Sequence, residues 1–394
     1  MKIKDLHRQY AHLKNEIDSA ISSVLYEQNF IQGSQVTLLE QQLADYVGTV
    51  FCDTCANGTD ALMLALMACG VQQGDAVFVP DFTFVATASC TYILGATPVF
   101  VDIYSDTYNM SSESLEKAIE DTLSAGQLIP KAIITVDLFG LPCDYAKIAT
   151  IAKKYNLKII EDGAQGFGGA IGTKKACSFG DIATTSFFPV KPLGCYGDGG
   201  AVFTNDEHLH DMCVSLRAQG RSKSDKYDNI ICGFNSRLDT IQAAILIPKL
   251  KAFKEKELDA INSIATKYSG YLKDTVSIPV VPEGYASSWS QYTIRVNNAE
   301  IRRKLIAYLS AKDIQTAVYY PRALHEQGAF ASIKTASECP NAVNATKEVL
   351  SLPIHPYMTD EEVFCVSEAI RSFFTQLDNN KNENTITMKR SLFF

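Results

Sequence analysis

The chain has 394 residues, 46% hydrophobic and 20% charged, with a net charge of −8. That is globular composition, long enough for a large unit plus a smaller one, and it lacks the basic field that nucleic-acid binding needs. No run of eighteen apolar residues marks a membrane span, no apolar N-terminal run marks a secretory signal, and eleven cysteines without framework spacing fit free thiols in a reducing cytoplasm.

Leu6, Tyr10, Leu13, Ile17, Ile21 and Leu25 recur at helical spacing, so the first forty residues read as helical. Cys52 and Cys55 form a C-x-x-C. With no second pair nearby and no redox-fold context, they read as buried structural thiols, not a zinc or redox site. Strands are predicted at Val77–Pro80, Pro98–Val101, Ala132–Val136, Lys158–Glu161, Ile182–Ser186 and Ala201–Thr204. Helices are predicted between them at Asp60–Cys69, Val85–Leu94, Ser112–Asp121 and Asp144–Tyr155. This alternation predicts an α/β fold with a mostly parallel central sheet, helices on both faces, and ligands at the carboxyl ends of the strands. A long helical run to about Leu272 leads to short strands at Tyr292–Val296 and Thr316–Tyr319 and helices at Ile301–Lys312 and Asp360–Gln376. The expected division is 1–250 for an N-terminal helix and large domain, 251–378 for a smaller C-terminal α/β domain, and 379–394 for a loose polar end.

Four segments could carry chemistry. Asn57-Gly58-Thr59-Asp60 opens a helix. It reads as an anion site at a helix N-terminus or as an ordinary N-cap. Asp162 ends an apolar strand with Gln165 three residues on, and it either faces a cofactor's ring nitrogen or caps a loop. The glycines 166, 168 and 172 are spaced wrongly for a dinucleotide loop, which speaks against an NAD dehydrogenase. Ser186-Phe-Phe-Pro-Val-Lys191 places a lone lysine in apolar company. It is either a solvated surface charge or an amine made nucleophilic by desolvation. Gly233-Phe-Asn235-Ser-Arg237 enters an apolar helix and could simply cap it.

Taken in order, these segments resemble fold-type I pyridoxal-phosphate (PLP) enzymes, and within them the DegT/DnrJ/StrS nucleotide-sugar aminotransferases, from Asp5 to about Tyr357. Tyr320-Pro321 with Leu324-His325 resembles a late motif of that family. The resemblance implies that Lys191 holds PLP as a Schiff base and Asp162 keeps the ring nitrogen protonated. It assigns Gln165 to the phenolic oxygen, Phe84 to the ring face, and Gly58, Thr59 and Ser186 to the phosphate. Asn235 would reach the phosphate of a neighbouring subunit, making the active unit a homodimer, while Arg237, Tyr320 and His325 would meet substrate. Glutamate would be the amino donor and a keto-sugar nucleotide the acceptor. Residues 184–206 and 233–250 look nearest to aminotransferases of UDP-2-acetamido-2-deoxy-3-oxo-glucuronic acid, which serve bacterial surface polysaccharides such as O-antigen. The alternative acceptor is a 4-keto-6-deoxy sugar nucleotide. Sugar dehydratases of the family resemble the chain too, but carry His at the position of Lys191, and a non-catalytic sensor would have lost a catalytic residue. One departure is Gly163, where many relatives have Ala; no loss of function is expected from it.

Overall fold

The computed structural model describes residues 1–225, 227–333 and 338–391, with residues 380–391 described by backbone alone. α1 (Leu6–Glu27) starts on Asp5, whose carboxylate accepts from Arg8 N at 3.3 Å, and ends where Gln28 turns left-handed at φ 56°. α2 (Ser34–Val47) follows, so the N-terminal helical stretch is two helices. Next come β1 (Phe51–Cys55), α3 (Gly58–Ala68), β2 (Asp75–Pro80), α4 (Ala86–Ile93), β3 (Thr97–Val101), α5 (Ser112–Ala125), β4 (Ile129–Val136), α6 (Tyr145–Tyr155) and β5 (Lys158–Asp162). The short strands β6 (Ala170–Ile171) and β7 (Lys174–Lys175) precede β8 (Ile182–Ser186), β9 (Gly200–Thr204) and α7 (Glu207–Leu216).

Seven of these strands form one sheet in the order β1-β9-β8-β5-β4-β2-β3. β9 runs antiparallel to both its neighbours, and the other pairs are parallel. Alternate residues of β2 enter different cores. Val77 and Val79 join Leu62 and Leu66 on one face, while Ala76 and Phe78 join Leu115 and Ile148 on the other. A strand covered on both faces reads as a continuous apolar run, which is why β2 was legible without alternation. Cys52 and Cys55 are buried free thiols on β1.

α8 (Thr240–Ala252), a π-type turn at Phe253–Glu257 and α9 (Leu258–Leu272) make one helical run. Residue 250, the expected boundary, therefore falls inside a helix. β10 (Tyr285–Ala286) pairs with β6 beside β7. β11 (Tyr292–Arg295), α10 (Ala299–Ser310), α11 (Pro340–Glu348), β12 (Val349–Leu352) and α12 (Asp360–Ser391) follow. A separate core gathers Tyr268, Tyr292, Leu305 and Ile370, with the two tyrosine rings 5.0 Å apart. The strand expected at Thr316–Tyr319 is reduced to one bridge, Ala317 to Ser351, before the chain turns at Pro321. The loose end expected from residue 379 is a continuation of α12 as far as Ser391; residues 392–394 lie outside the described residues. Ala323, Leu324 and Phe330 pack into the large sheet's core, and that return carries Tyr320 and His325 to the strand ends.

Candidate active site

Asp162 and Ser186 are the last residues of β5 and β8. Gly200, the first residue of β9, pairs with Ser186 on one side and Cys55 of β1 on the other. Four strand termini therefore lie in a row, and the start of α3 sits on them. Asn57 caps that helix, its Oδ1 accepting from Asp60 N at 2.8 Å. The N–H groups of Gly58 and Thr59 donate to no such cap among the described residues. A Cβ on Gly58 would stand 2.7 Å from Ser186 Cβ and 3.1 Å from its Oγ. Gly58 thus permits the helix start and the strand end to close on each other, making a cradle of two N–H groups and a hydroxyl suited to a phosphate.

The buried Asp162 carboxylate accepts from Thr87 Oγ1 at 3.0 Å and from Ala164 N at 3.2 Å. Burial raises its pKa, against the Lys191 charge and these two donors, which favour the ionised form. Lys191 hangs on a turn closed by its own N–H to Phe188 O at 2.9 Å. Burial lowers the amine's pKa below the ordinary lysine value, and the Asp162 charge opposes that. The sequence reading of a desolvated amine, in place of a solvated surface charge, therefore has a physical basis.

Gln165 is held by three contacts. Its Oε1 accepts from Phe139 N at 2.8 Å, its Nε2 donates to Tyr320 OH at 3.0 Å, and its carbonyl accepts from Ser288 Oγ at 2.7 Å. An amide nitrogen has two protons, so one remains for a ligand. The Phe84 ring is exposed, 6.4 Å from the Tyr320 ring. His325 is clamped by the fully buried Asp81, which takes its N–H at 2.9 Å and its Nδ1 at 2.5 Å. At Gly163 the absent Cβ leaves room for Cys177 Sγ, which would have to shift to admit an alanine.

Asn235 and Arg237 lie elsewhere on this chain. They line an open cavity with Asn57, Asp198 and Gln242 whose walls include neither Asp162 nor Lys191. Between them Ser236 is fully buried, donating to Asp60 Oδ2 at 2.7 Å and accepting from Ala56 N at 3.1 Å. The loop is thereby pinned to the start of α3 while Asn235 faces outward. Sequence reasoning missed Asp81, Thr87, Ser236 and Ser288. Each acts on a residue distant in sequence, and only Ser236, between Asn235 and Arg237, lay in a segment already singled out.

The model of the DegT/DnrJ/EryC1/StrS aminotransferase family matches residues 11–371. The chain belongs to that family. A UDP-2-acetamido-2-deoxy-3-oxo-D-glucuronate aminotransferase of Pseudomonas aeruginosa is 43% identical, over 93% of this chain and 98% of its own length. A family aminotransferase from Brucella abortus has TM-score 0.92 and 44% identity, covering 95% of this chain and 99% of its own. NtdA of Bacillus subtilis, solved with bound cofactor PMP, has TM-score 0.83 and 29% identity, covering 92% and 82%. The protein is a PLP-dependent nucleotide-sugar aminotransferase. The site fits the cofactor on its own terms, with a phosphate cradle that a single Cβ would fill, a buried carboxylate facing a desolvated amine, and an exposed aromatic face. Among the described residues, no helix is long and apolar enough to cross a membrane.

Proposed function

We propose that the aminotransferase moves an amino group from glutamate to the 3-oxo carbon of UDP-2-acetamido-2-deoxy-3-oxo-glucuronic acid, as a cytoplasmic homodimer serving bacterial surface polysaccharide such as O-antigen. The observation that carries the chemistry is the desolvated Lys191 amine set against the buried Asp162 carboxylate at the strand ends. The Pseudomonas relative supports the acceptor.

Bound PLP supplies an aldehyde for imine formation and a ring that withdraws an electron pair. Asp162 holds the proton of the ring nitrogen. The second N–H of Gln165 orients the phenolic oxygen, Phe84 covers a ring face, and Gly58, Thr59 and Ser186 bind the phosphate. The lowered pKa leaves more of Lys191 as free base, able to take a proton from the donor's Cα and return one to the acceptor's carbon. The donor's keto acid leaves before the sugar enters, which is ping-pong order.

The outward Asn235 loop supports the shared dimeric site, as do the exposed Phe30, Ile31 and Leu38. Arg237 forms no ion pair among the described residues and lines an open cavity. Its planar fork suits the uronic-acid carboxylate. Tyr320 and His325 complete the substrate wall. Comparing kcat/KM on the 3-oxo uronic acid and on a neutral 4-keto-6-deoxy sugar nucleotide tests the reading. The uronic acid should be preferred and Arg237→Lys should harm it selectively; better turnover of the neutral sugar, with equal harm to both, contradicts it.

A further inference from the structure

Asp81 stands directly after β2, and its N–H donates to Val101 O at 2.9 Å, at the end of β3. The segment it opens serves the site twice more. Phe84 presents its exposed ring, and Thr87 on α4 donates to Asp162 Oδ2 at 3.0 Å. A second segment, from Tyr320 to His325, lies along the first. Tyr320 OH accepts from Gln165 Nε2 at 3.0 Å, and its ring stands 6.0 Å from that of Phe82 and 6.4 Å from that of Phe84. Leu324, fully buried, donates its N–H to Asp81 O at 2.8 Å. His325 is thereby joined to the same segment that steadies Asp162, at the carboxyl ends of the strands where ligands of α/β sheets bind.

Asp81 is fully buried and gives both carboxylate oxygens to His325. Oδ1 accepts the backbone N–H at 2.9 Å, and Oδ2 meets the ring at Nδ1 at 2.5 Å. Seating the turn takes only the backbone bonds; the bond to Nδ1 orients the ring as well. Burial pushes the Asp81 carboxyl up, and the bonds from His325 oppose that, favouring the ionised form. A carboxylate has no proton to give, so the ring proton sits on Nδ1 and the neutral ring offers a lone pair at Nε2. The His325 side chain is 27% exposed, and Nε2 makes no hydrogen bond among the described residues. One nitrogen is held by a buried carboxylate, and the other is left open.

We propose that Asp81 is a positioning residue for amino transfer to the sugar: it locks His325 in the tautomer with Nδ1 protonated, so that Nε2 accepts a hydrogen bond from an O–H or N–H of the keto-sugar nucleotide. The sugar contact rests on the reading of His325 as part of the substrate wall; the tautomer does not.

The test separates the two halves of the ping-pong cycle. Asp81→Asn keeps the shape but turns an NH2 group towards Nδ1, which moves the ring proton to Nε2 and sets donor against donor. His325→Asn keeps a donor for Asp81 and deletes Nε2. Each should slow the reaction of the pyridoxamine-phosphate enzyme with whichever keto-sugar nucleotide it uses by about tenfold or more, the scale of a hydrogen bond lost with its partner left unpaired. Reaction of the PLP enzyme with glutamate should stay within about threefold, as for a step that does not use the interaction. Combined, the two changes should cost no more than either alone, because Asp81 acts through His325. Ring-nitrogen NMR of the histidines in mildly alkaline buffer reads the tautomer without an activity assay. The His325 signals, assigned by their loss in His325→Asn, should show Nδ1 protonated in the wild type and Nε2 protonated in Asp81→Asn. A proton on Nε2 in the wild type, additive losses in the double variant, or equal harm to both half-reactions with falling cofactor content overturns the positioning role. A His325→Asn enzyme that aminates the sugar at the wild-type rate overturns the sugar contact and the substrate-wall reading beneath it.

Discussion

Gly58→Ala tests the cofactor cradle with one methyl group. The new Cβ would lie 2.7 Å from Ser186 Cβ, with Ser186 Cα at 3.3 Å behind it, so a side-chain rotation alone does not relieve the contact. The start of α3 and the end of β8 must separate by about 0.5–1 Å, and overpacking of this kind costs about 1–3 kcal/mol. Alanine is a better helix former than glycine by about 1 kcal/mol, which offsets part of that loss in global stability. The separation falls on the two elements that grip the phosphate, so cofactor affinity carries the remainder. The remainder of up to about 2 kcal/mol, at about 1.4 kcal/mol per tenfold, should weaken PLP binding by up to about 30-fold while the melting temperature of the cofactor-free protein moves little. Fluorescence titration of the cofactor-free variant with PLP reads the affinity, and Thr59→Ala, which keeps the Thr59 N–H and removes a hydroxyl, should lose less. Wild-type affinity in Gly58→Ala would refute the cradle.

Lys249 is buried, its Nζ has no hydrogen-bond partner among the described residues, and it stands 4.6 Å from the centre of the Tyr196 ring. Burial pushes its pKa down to about 8, so at pH 7 the buried charge costs roughly 3 kcal/mol, at about 1.4 kcal/mol per pKa unit. Because the folded pKa is depressed, that penalty is fully present below pH 8 and fades as pH rises towards about 10.5. Lys249→Met should raise the urea midpoint at pH 7, with the advantage shrinking at pH 10; a less stable variant at pH 7 would mean that the ring contact outweighs desolvation. Mixing inactive Lys191→Ala with inactive Asn235→Ala under subunit exchange should restore partial activity, measured as amino transfer from glutamate. No recovery from confirmed mixed dimers contradicts the shared site.

The strands of the large sheet were legible because each is a short apolar run bounded by turn residues, and the reactive positions follow from where those runs stop. Asp162 and Ser186 terminate β5 and β8 as the sequence suggests. β1 was harder to read, since Phe51–Cys55 carries Asp53 and Thr54 inside it, both buried. Gly58 was read as a phosphate contact, and the close approach of Ser186 that its missing Cβ permits could not be seen in the sequence. The clamp of His325 by Asp81 joins residues 244 positions apart, and no local pattern encodes it. Glu161 stands next to Asp162 at the end of β5. It turns away to accept the N–H groups of Cys177, Phe179 and Gly180, while burial and the Glu161 charge hold Asp137 well above the usual carboxylate range.

The central claim is that Lys191 is the amine joined to the cofactor. Borohydride reduction of the PLP-loaded enzyme, followed by peptide mass spectrometry, should place the pyridoxyl group on the Lys191 peptide. In Lys191→Ala the visible absorbance of lysine-bound cofactor should vanish together with trapping. Label on another lysine, or full trapping and turnover in Lys191→Ala, would contradict the account.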